Sequence, residues 1–223
     1  MSVTGGVDMI TDGLVFYVDA ANPNSYISGN TTTNDLILNN VGTLINDTGF
    51  STENNGSWTF DGSDEYIDFG GINTLNTATN LTFSFWGKKL TGDILGVESF
   101  NTTSDKIILY WWSNDRIYWG VRNTGTPTAA SIIVSDFGNY HNFVGTYDGS
   151  SGTIKLYVGG SLVNTQTGAP SATTDLSGLF KIAKSNGTTF GTGQISNVKI
   201  YNRALSSGEV LQNYNALKGR FGL

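Results

Sequence analysis

The chain has 223 residues, 18 acidic against 12 basic side chains for a net charge of −6, and no cysteine. Cations this few and this dispersed exclude the electrostatic footprint of a nucleic-acid or anionic-lipid binder, and the missing cysteines exclude a disulfide frame. With 13% charged residues, 29 glycines and a 12% aromatic share, the composition favours many short strands and polar turns around a large core, in one all-β domain.

The first residues lack a basic start and an apolar run, so no secretory leader or membrane span is expected. Residues 1–12 read as an N-terminal arm, with its first few residues the only candidates for disorder, and 13–223 as the domain. Six Asn-x-Ser/Thr sequons, at Asn30, Asn46, Asn55, Asn80, Asn101 and Asn186, are read as a product of an Asn- and Thr-rich composition rather than as glycosylation sites.

Gly13-Leu14-Val15-Phe16-Tyr17-Val18-Asp19-Ala20 reads as a buried first strand, ended by the turn Asn22-Pro23-Asn24-Ser25. Residues 29–56 should be loops and short edge strands. Residues 58–60 and 66–69 flank Asp61-Gly62-Ser63-Asp64, a tight turn that predicts a hairpin. Leu81, Phe83 and Phe85 alternate with Thr82, Ser84 and Trp86, as a central strand requires.

The next two strands separate by face. Ile107, Leu109 and Trp111 on one, and Ile117, Trp119 and Val121 on the other, read as core. The opposite faces bring together Tyr110, Trp112, Arg116, Tyr118 and Arg122, aromatic and polar at once. Sugar rings stack on flat aromatics while charged groups bond hydroxyls, so these five are the candidate ligand-binding residues. A face packed under a loop or a second subunit would show the same residues.

Residues 141–147, 153–158 and 161–163 form a predicted three-strand meander, with Gly159-Gly160 suited to a two-residue turn that needs positive φ twice. A strand near 179–183 and a closing strand near 194–201 follow. Ser206 and Glu209 fit a capping box, Leu205 and Val210 the two staple positions, and a helix is predicted from Ser207 to Leu217 with Val210, Leu211, Tyr214 and Leu217 on one stripe. His141, the lone histidine, stands in a strand and reads as structural. With no cysteine beside it, neither a zinc site nor a serine-hydrolase triad is assembled from the sequence.

Five segments in order, residues 13–19, 60–67, 145–149, 155–160 and the closing 193–209 with its Ile200-Tyr201-Asn202-Arg203-Ala204-Leu205-Ser206, give the chain its resemblance to laminin-G-like domains of the concanavalin A-like lectin/glucanase superfamily. The resemblance implies a two-sheet antiparallel jelly-roll sandwich with the first and last strands near each other. Glucanases of this fold carry Glu-x-Asp-x-x-Glu or Glu-x-Asp-x-Glu on a strand. Here Glu53, Glu65, Glu98 and Glu209 are isolated, and Glu65 and Asp68 are three apart, on opposite faces of a strand. No catalytic residue is assigned, and a glycan-cleaving enzyme ranks last. Relatives often hold calcium at a sheet rim. Asp61 and Asp64 match their acidic turn, but Asn197 stands where relatives often have a carboxylate, which lowers ligand charge, and an Asx turn accounts for the two aspartates. No cofactor or metal is assigned.

The C-terminal residues 215–223 also resemble the ends of laminin-G-like structural proteins of marine tailed bacteriophages. That resemblance implies a non-catalytic component of a virion surface, as capsid decoration, head fibre or tail-associated protein. Its partners would be other virion proteins and host-surface glycans, with no nucleic acid or membrane insertion and an oligomeric state on the particle. The alternative is a carbohydrate-binding lectin module.

Overall fold

The computed structural model describes residues 7–72, 75, 77–90, 94–100, 106–123, 128–136, 138–173, 179–185 and 189–223. The first six residues and the sequons at Asn101 and Asn186 lie outside them. In chain order the strands are β1 (Leu14–Asp19), β2 (Thr32–Asn34), β3 (Val41–Ile45), β4 (Gly49–Ser51), β5 (Ser57–Asp61), β6 (Tyr66–Asp68), β7 (Asn80–Lys89), β8 (Leu95–Phe100), β9 (Lys106–Trp111) and β10 (Arg116–Arg122). Then come β11 (Thr128–Ile133), β12 (His141–Asp148), β13 (Thr153–Val158), β14 (Ser161–Thr167), β15 (Leu179–Ile182), β16 (Thr192–Tyr201) and the helix α1 (Ser207–Leu217).

They form two eight-stranded antiparallel sheets packed as a jelly-roll sandwich, the architecture expected from the sequence. The first sheet runs β14-β13-β12-β7-β16-β5-β4, with β1 also on β16, and the second runs β11-β10-β9-β8-β15-β6-β3-β2. Ten-residue β16 takes two partners on one edge: residues 192–195 pair with β5, and 197–201 pair with β1. A bulge between Ile195 and Asn197 makes the change, where the apolar alternation of the sequence slips by one.

The predicted hairpin of residues 58–60 and 66–69 does not form. β5 pairs with β4 and β16 in the first sheet, whereas β6 pairs with β3 and β15 in the second, so the Asp61–Glu65 turn carries the chain across the sandwich. Local turn chemistry dictates a reversal but not which sheet receives the second strand. β8 and β11 are absent from the predicted elements. Every residue of β8 is buried, so no polar alternation marks it. The meander appears as expected, with Gly159 and Gly160 at φ 58° and 79°.

The core lies between the sheets. Phe83 and Phe85 of β7, Phe143 and Tyr147 of β12, and Trp111 and Trp119 of the second sheet belong to one continuous buried cluster. Trp119 bridges the two sheets: its indole N–H donates to the Thr146 carbonyl of the opposite sheet (2.9 Å). Gly145 makes room for it, since a methyl group there would fall inside the Trp119 ring.

α1 ends as its sequence dictates at the N-terminus, with the Ser206–Glu209 capping box formed and Leu205 and Val210 buried together. Glu209 also grips Arg203 (2.6 Å), a bond that holds its carboxyl down at about 2. Leu211 departs from the predicted stripe at 46% exposed, because Val210 and Tyr214 already fill the contact with the sheet. Residues 8–12 of the arm dock on this element: Ile10 N–H donates to Asn213 Oδ1 (2.8 Å), and Gln212 donates to the Asp8 carbonyl (2.9 Å).

The tail then returns over the outer face of the first sheet. Phe221 and Tyr214 stack on Trp86 with centroids at 4.1 and 5.6 Å. The Arg220 guanidinium bonds both Asp19 oxygens (2.9 Å each), the carbonyls of Asn54 and Gly56, and Ser196 Oγ. Lys199, wholly buried beside this pair, is pushed down to about 8 by its burial, against the pull of Asp19.

Substituting Gly145→Ala should destabilise the domain by about 1–3 kcal/mol, the usual cost of overpacking a core. Chemical denaturation checks this; an unchanged midpoint would show that Trp119 has room to move.

Candidate ligand-binding face

Alternation along β9 and β10 sends Ile107, Leu109, Trp111, Ile117, Trp119 and Val121 into the core. Their neighbours therefore point to the outer face of the second sheet, where Tyr118 lies directly across from Tyr110 and Arg122 from Lys106. The connecting turn is tight: Trp112 N–H donates to the Arg116 carbonyl (2.7 Å), and Asp115 takes a left-handed conformation at φ 63°. Lys89 Nζ donates to the Trp112 carbonyl (2.6 Å), tethering the turn to the first sheet.

The five candidate residues do not share one environment. Trp112 is 36% exposed, and Tyr118, Arg116 and Arg122 are half-buried. Tyr110 is corrected: at 1% exposed it offers no stacking surface. Its hydroxyl donates to Glu98 Oε2 (2.8 Å) and lies 2.5 Å from the Lys184 carbonyl, and burial together with the Glu98 charge pushes the phenol well above its ordinary range. Tyr110 supports Trp112 from beside, with ring centroids 6.1 Å apart.

A shallow pocket of about 200 Å³ opens on this face, lined by Ile108, Trp112, Asn114 and Tyr118. Asn114 organises it. Its amide donates to the Tyr118 hydroxyl (3.1 Å), and its oxygen accepts from Arg116 N–H (3.3 Å). Arg116 Nη1 donates to Ser131 Oγ (3.3 Å). The arrangement offers two flat rings beside an amide donor, the groups that grip a polyhydroxylated ring. Sequence reasoning missed Asn114 and Ile108. The short polar break between two aromatic strands was the available signal for Asn114.

Larger clefts lie elsewhere. One of about 630 Å³ opens at the sandwich edge over Tyr26, Leu44 and Phe50, with Asn30, Asn46 and Asp47 on its rim. Another, of about 400 Å³, includes His141, Tyr214 and Phe221. His141 packs edge-on against Trp111 at 5.5 Å and donates from Nε2 to the Asp136 carbonyl (3.1 Å).

The other chemistry-bearing residues are engaged in the fold. Glu53 pairs with Lys88 (2.5 Å), Glu65 accepts from Asp61 N–H (3.2 Å), Glu98 accepts from Tyr110, and Glu209 caps α1. Asp61 Oδ1 accepts from Ser63 N–H (2.7 Å), an Asx turn. Asn197 is buried and accepts from Lys199. It lies five residues along β16 from Thr192, the partner of Asp61, or roughly 17 Å. The Asp61, Asp64 and Asn197 set therefore does not fit a calcium ion. Among the described residues no three acidic or histidine side chains converge as metal ligands, and no helix is long and apolar enough to cross a membrane.

Fold and exposed face together define a jelly-roll domain of lectin architecture. The chain belongs to the Concanavalin A-like lectin/glucanases superfamily, whose laminin-G model matches residues 61–211. No curated protein matches the chain. Among solved structures it is similar to domain 4 of AbnA, a GH43 extracellular arabinanase from Geobacillus stearothermophilus, in complex with arabinotriose. The TM-score is 0.69 at 15% identity, over 90% of this chain and 98% of that one. It is also similar to Trypanosoma rangeli sialidase (TM-score 0.68, 14% identity, 96% of this chain and 34% of that one). The botulinum neurotoxin serotype D binding domain is a third (TM-score 0.70, 15% identity, 92% and 52%). The chain thus spans the whole arabinanase domain but only a third of the sialidase and half of the toxin fragment, and at these identities the likeness is one of fold.

Tyr110→Phe removes a buried bond to a carboxylate and should cost about 1.5–3 kcal/mol. Trp112→Ala, whose ring is 36% exposed, should cost less than loss of a fully buried tryptophan such as Trp111, about 3–5 kcal/mol. Denaturation curves of Trp112→Ala and Trp111→Ala check the contrast; equal losses would place Trp112 in the core.

Proposed function

We propose that this protein is a non-catalytic binding module of a bacteriophage virion surface that grips a saccharide on the face formed by Trp112 and Tyr118. The observation that carries the reading is the partly exposed Trp112 ring beside Tyr118, with the Asn114 amide at its edge. Trp112, Tyr118 and Ile108 line one continuous shallow pocket, the kind of flat aromatic and apolar surface on which a sugar ring stacks. The engagement of all four glutamates in caps, ion pairs and turns supports a binding role over glycoside hydrolysis, which needs a free pair of carboxyls.

Two further observations support it. The arabinanase domain that this chain matches along its whole length holds arabinotriose. The C-terminal segment resembles that of phage structural proteins, and here it is built into the fold through Arg220 and Phe221. On the particle the module would contact other virion proteins, in several copies, and present the Trp112 face to host-surface glycans. The second reading is a carbohydrate-binding lectin module with no virion role, and glycan cleavage comes third, on the strength of a superfamily that includes glucanases by its description.

A glycan array probed with the wild-type chain should show binding to a restricted set of oligosaccharides, weakened about tenfold or more by Trp112→Ala. Mass spectrometry of purified particles should find the protein at fixed stoichiometry. Binding unaffected by Trp112→Ala would move the site elsewhere, release of reducing ends would contradict a non-catalytic role, and absence from the particles would contradict the virion assignment.

A further inference from the structure

We infer that the C-terminal tail is a proton-sensitive strap over the outer face of the first sheet, held when Lys199 is neutral and loosened when it carries a proton. The register builds the chamber beneath it. On β16, Lys199 stands between Tyr17 of β1 and Ser84 of β7, and Asn197 between Asp19 and Trp86. The tail closes the chamber from above, with Arg220 on Asp19 and Phe221 on Trp86. Lys199, Asn197 and Asp19 are all buried.

Two cations thus lie beside one carboxylate, and they do not share it equally. Asp19 accepts from the Ala21 N–H (2.9 Å), from the Tyr17 hydroxyl (2.8 Å) and, on both oxygens, from Arg220 (2.9 Å each). None of these bonds comes from Lys199. Its ammonium has three N–H groups, and among the described residues its one acceptor is Asn197 Oδ1 (3.2 Å). Asn197 Nδ2 is itself buried without an acceptor. A charged lysine here leaves donors unsatisfied on both partners, which is costly away from water. The other neighbours bring no counter-charge. Ser84 and Trp86 are neutral, the Tyr17 ring lies 4.9 Å from Nζ with its phenol kept protonated by burial, and Asp35 is turned to the backbone N–H groups of Tyr17, Ile37 and Leu38.

Loss of one proton to water removes the second cation and gives Nζ a lone pair. A half-turn of the Asn197 amide then lets Nδ2 donate to it. Burial, and after it the Arg220 charge, lower Lys199 to about 8 against the pull of Asp19, and water would restore its ordinary 10.5 once the tail lifts. The lifted state therefore binds more protons between these two values. The hold of the tail is weakest below pH 8 and strengthens as the pH rises toward 10.5, with the docked-to-lifted ratio growing about tenfold from pH 7 to pH 9. Lifting uncovers Trp86 and Tyr140, the two rings against which Phe221 packs.

The test is hydrogen exchange of the full chain at pH 7 and pH 9, read by mass spectrometry as protection relative to the intrinsic rate at each pH. Residues 218–223 should exchange through an opening of their own, with protection at pH 7 at least about tenfold below that of β7 and rising about tenfold by pH 9. In Lys199→Met the tail should be strongly protected at both pH values. In Lys199→Arg, which stays charged, it should be weakly protected at both, so the arginine variant carries the test if the methionine variant fails to fold. Tail protection equal to that of β7 would show that the tail opens only with the whole domain and would overturn the strap. A wild-type tail indifferent to pH, or a pH dependence that persists in either variant, would overturn the role of Lys199.

Discussion

Everything on the candidate face follows from one contact between the sheets, the Trp119 ring laid on the backbone of Gly145. A glycine in β12 lets the indole cross the mid-plane and bond the Thr146 carbonyl on the far sheet. That contact fixes β10 in register, because a slip of one residue would expose Trp119 and bury Arg116, Tyr118 and Arg122 in its place. The cost of such a slip is several buried aromatic contacts at once, so the outward set is held as firmly as the inward one. Function on this sheet is thus set by what the core excludes.

The two outer faces have different fates. On the first sheet, Trp86 is an outward residue by alternation, yet it is buried under Phe221 and Tyr214. The returning tail is anchored by Arg220 on Asp19, a charge pair with both partners largely withdrawn from water and with further acceptors from Asn54, Gly56 and Ser196. Breaking such a pair strands a buried charge, which makes the tail part of the fold rather than an appendage. On the second sheet the Trp112 ring stays at the surface, with Tyr118 and Asn114 around it. The same residue type plays opposite roles because the returning tail covers Trp86, whereas no described segment closes over Trp112.

Much of this architecture was legible in the sequence. Clean alternation gave β1, β7, β9 and β10, the Gly159-Gly160 pair gave the meander, and Ser206 with Glu209 gave the start of α1. The slip at residues 195–198 marked a real bulge. What failed were inferences that need the partner strand: residues 58–60 and 66–69 look like a hairpin locally but join different sheets, and β8, buried on both faces, has no period to read. On the candidate face, alternation placed all five residues outward correctly, yet Tyr110 is covered. Its position in the strand says which way it points, and only the Lys184 segment and Glu98 on neighbouring β8 say that nothing reaches it from solvent.

The central claim is that the Trp112 face binds the ligand. The chain has five tryptophans, and Trp58, Trp86, Trp111 and Trp119 are buried, so Trp112 is the exposed reporter. A nitrogen–proton NMR titration with the oligosaccharide that binds best on the glycan array would read all five indole N–H signals and the Asn114 side-chain amide together. Shifts confined to Trp112 and Asn114, with the four buried indoles unmoved, are the predicted result. Shifts centred instead on the Asn30 and Asn46 amides at the sandwich edge, or no shift at all, would contradict it.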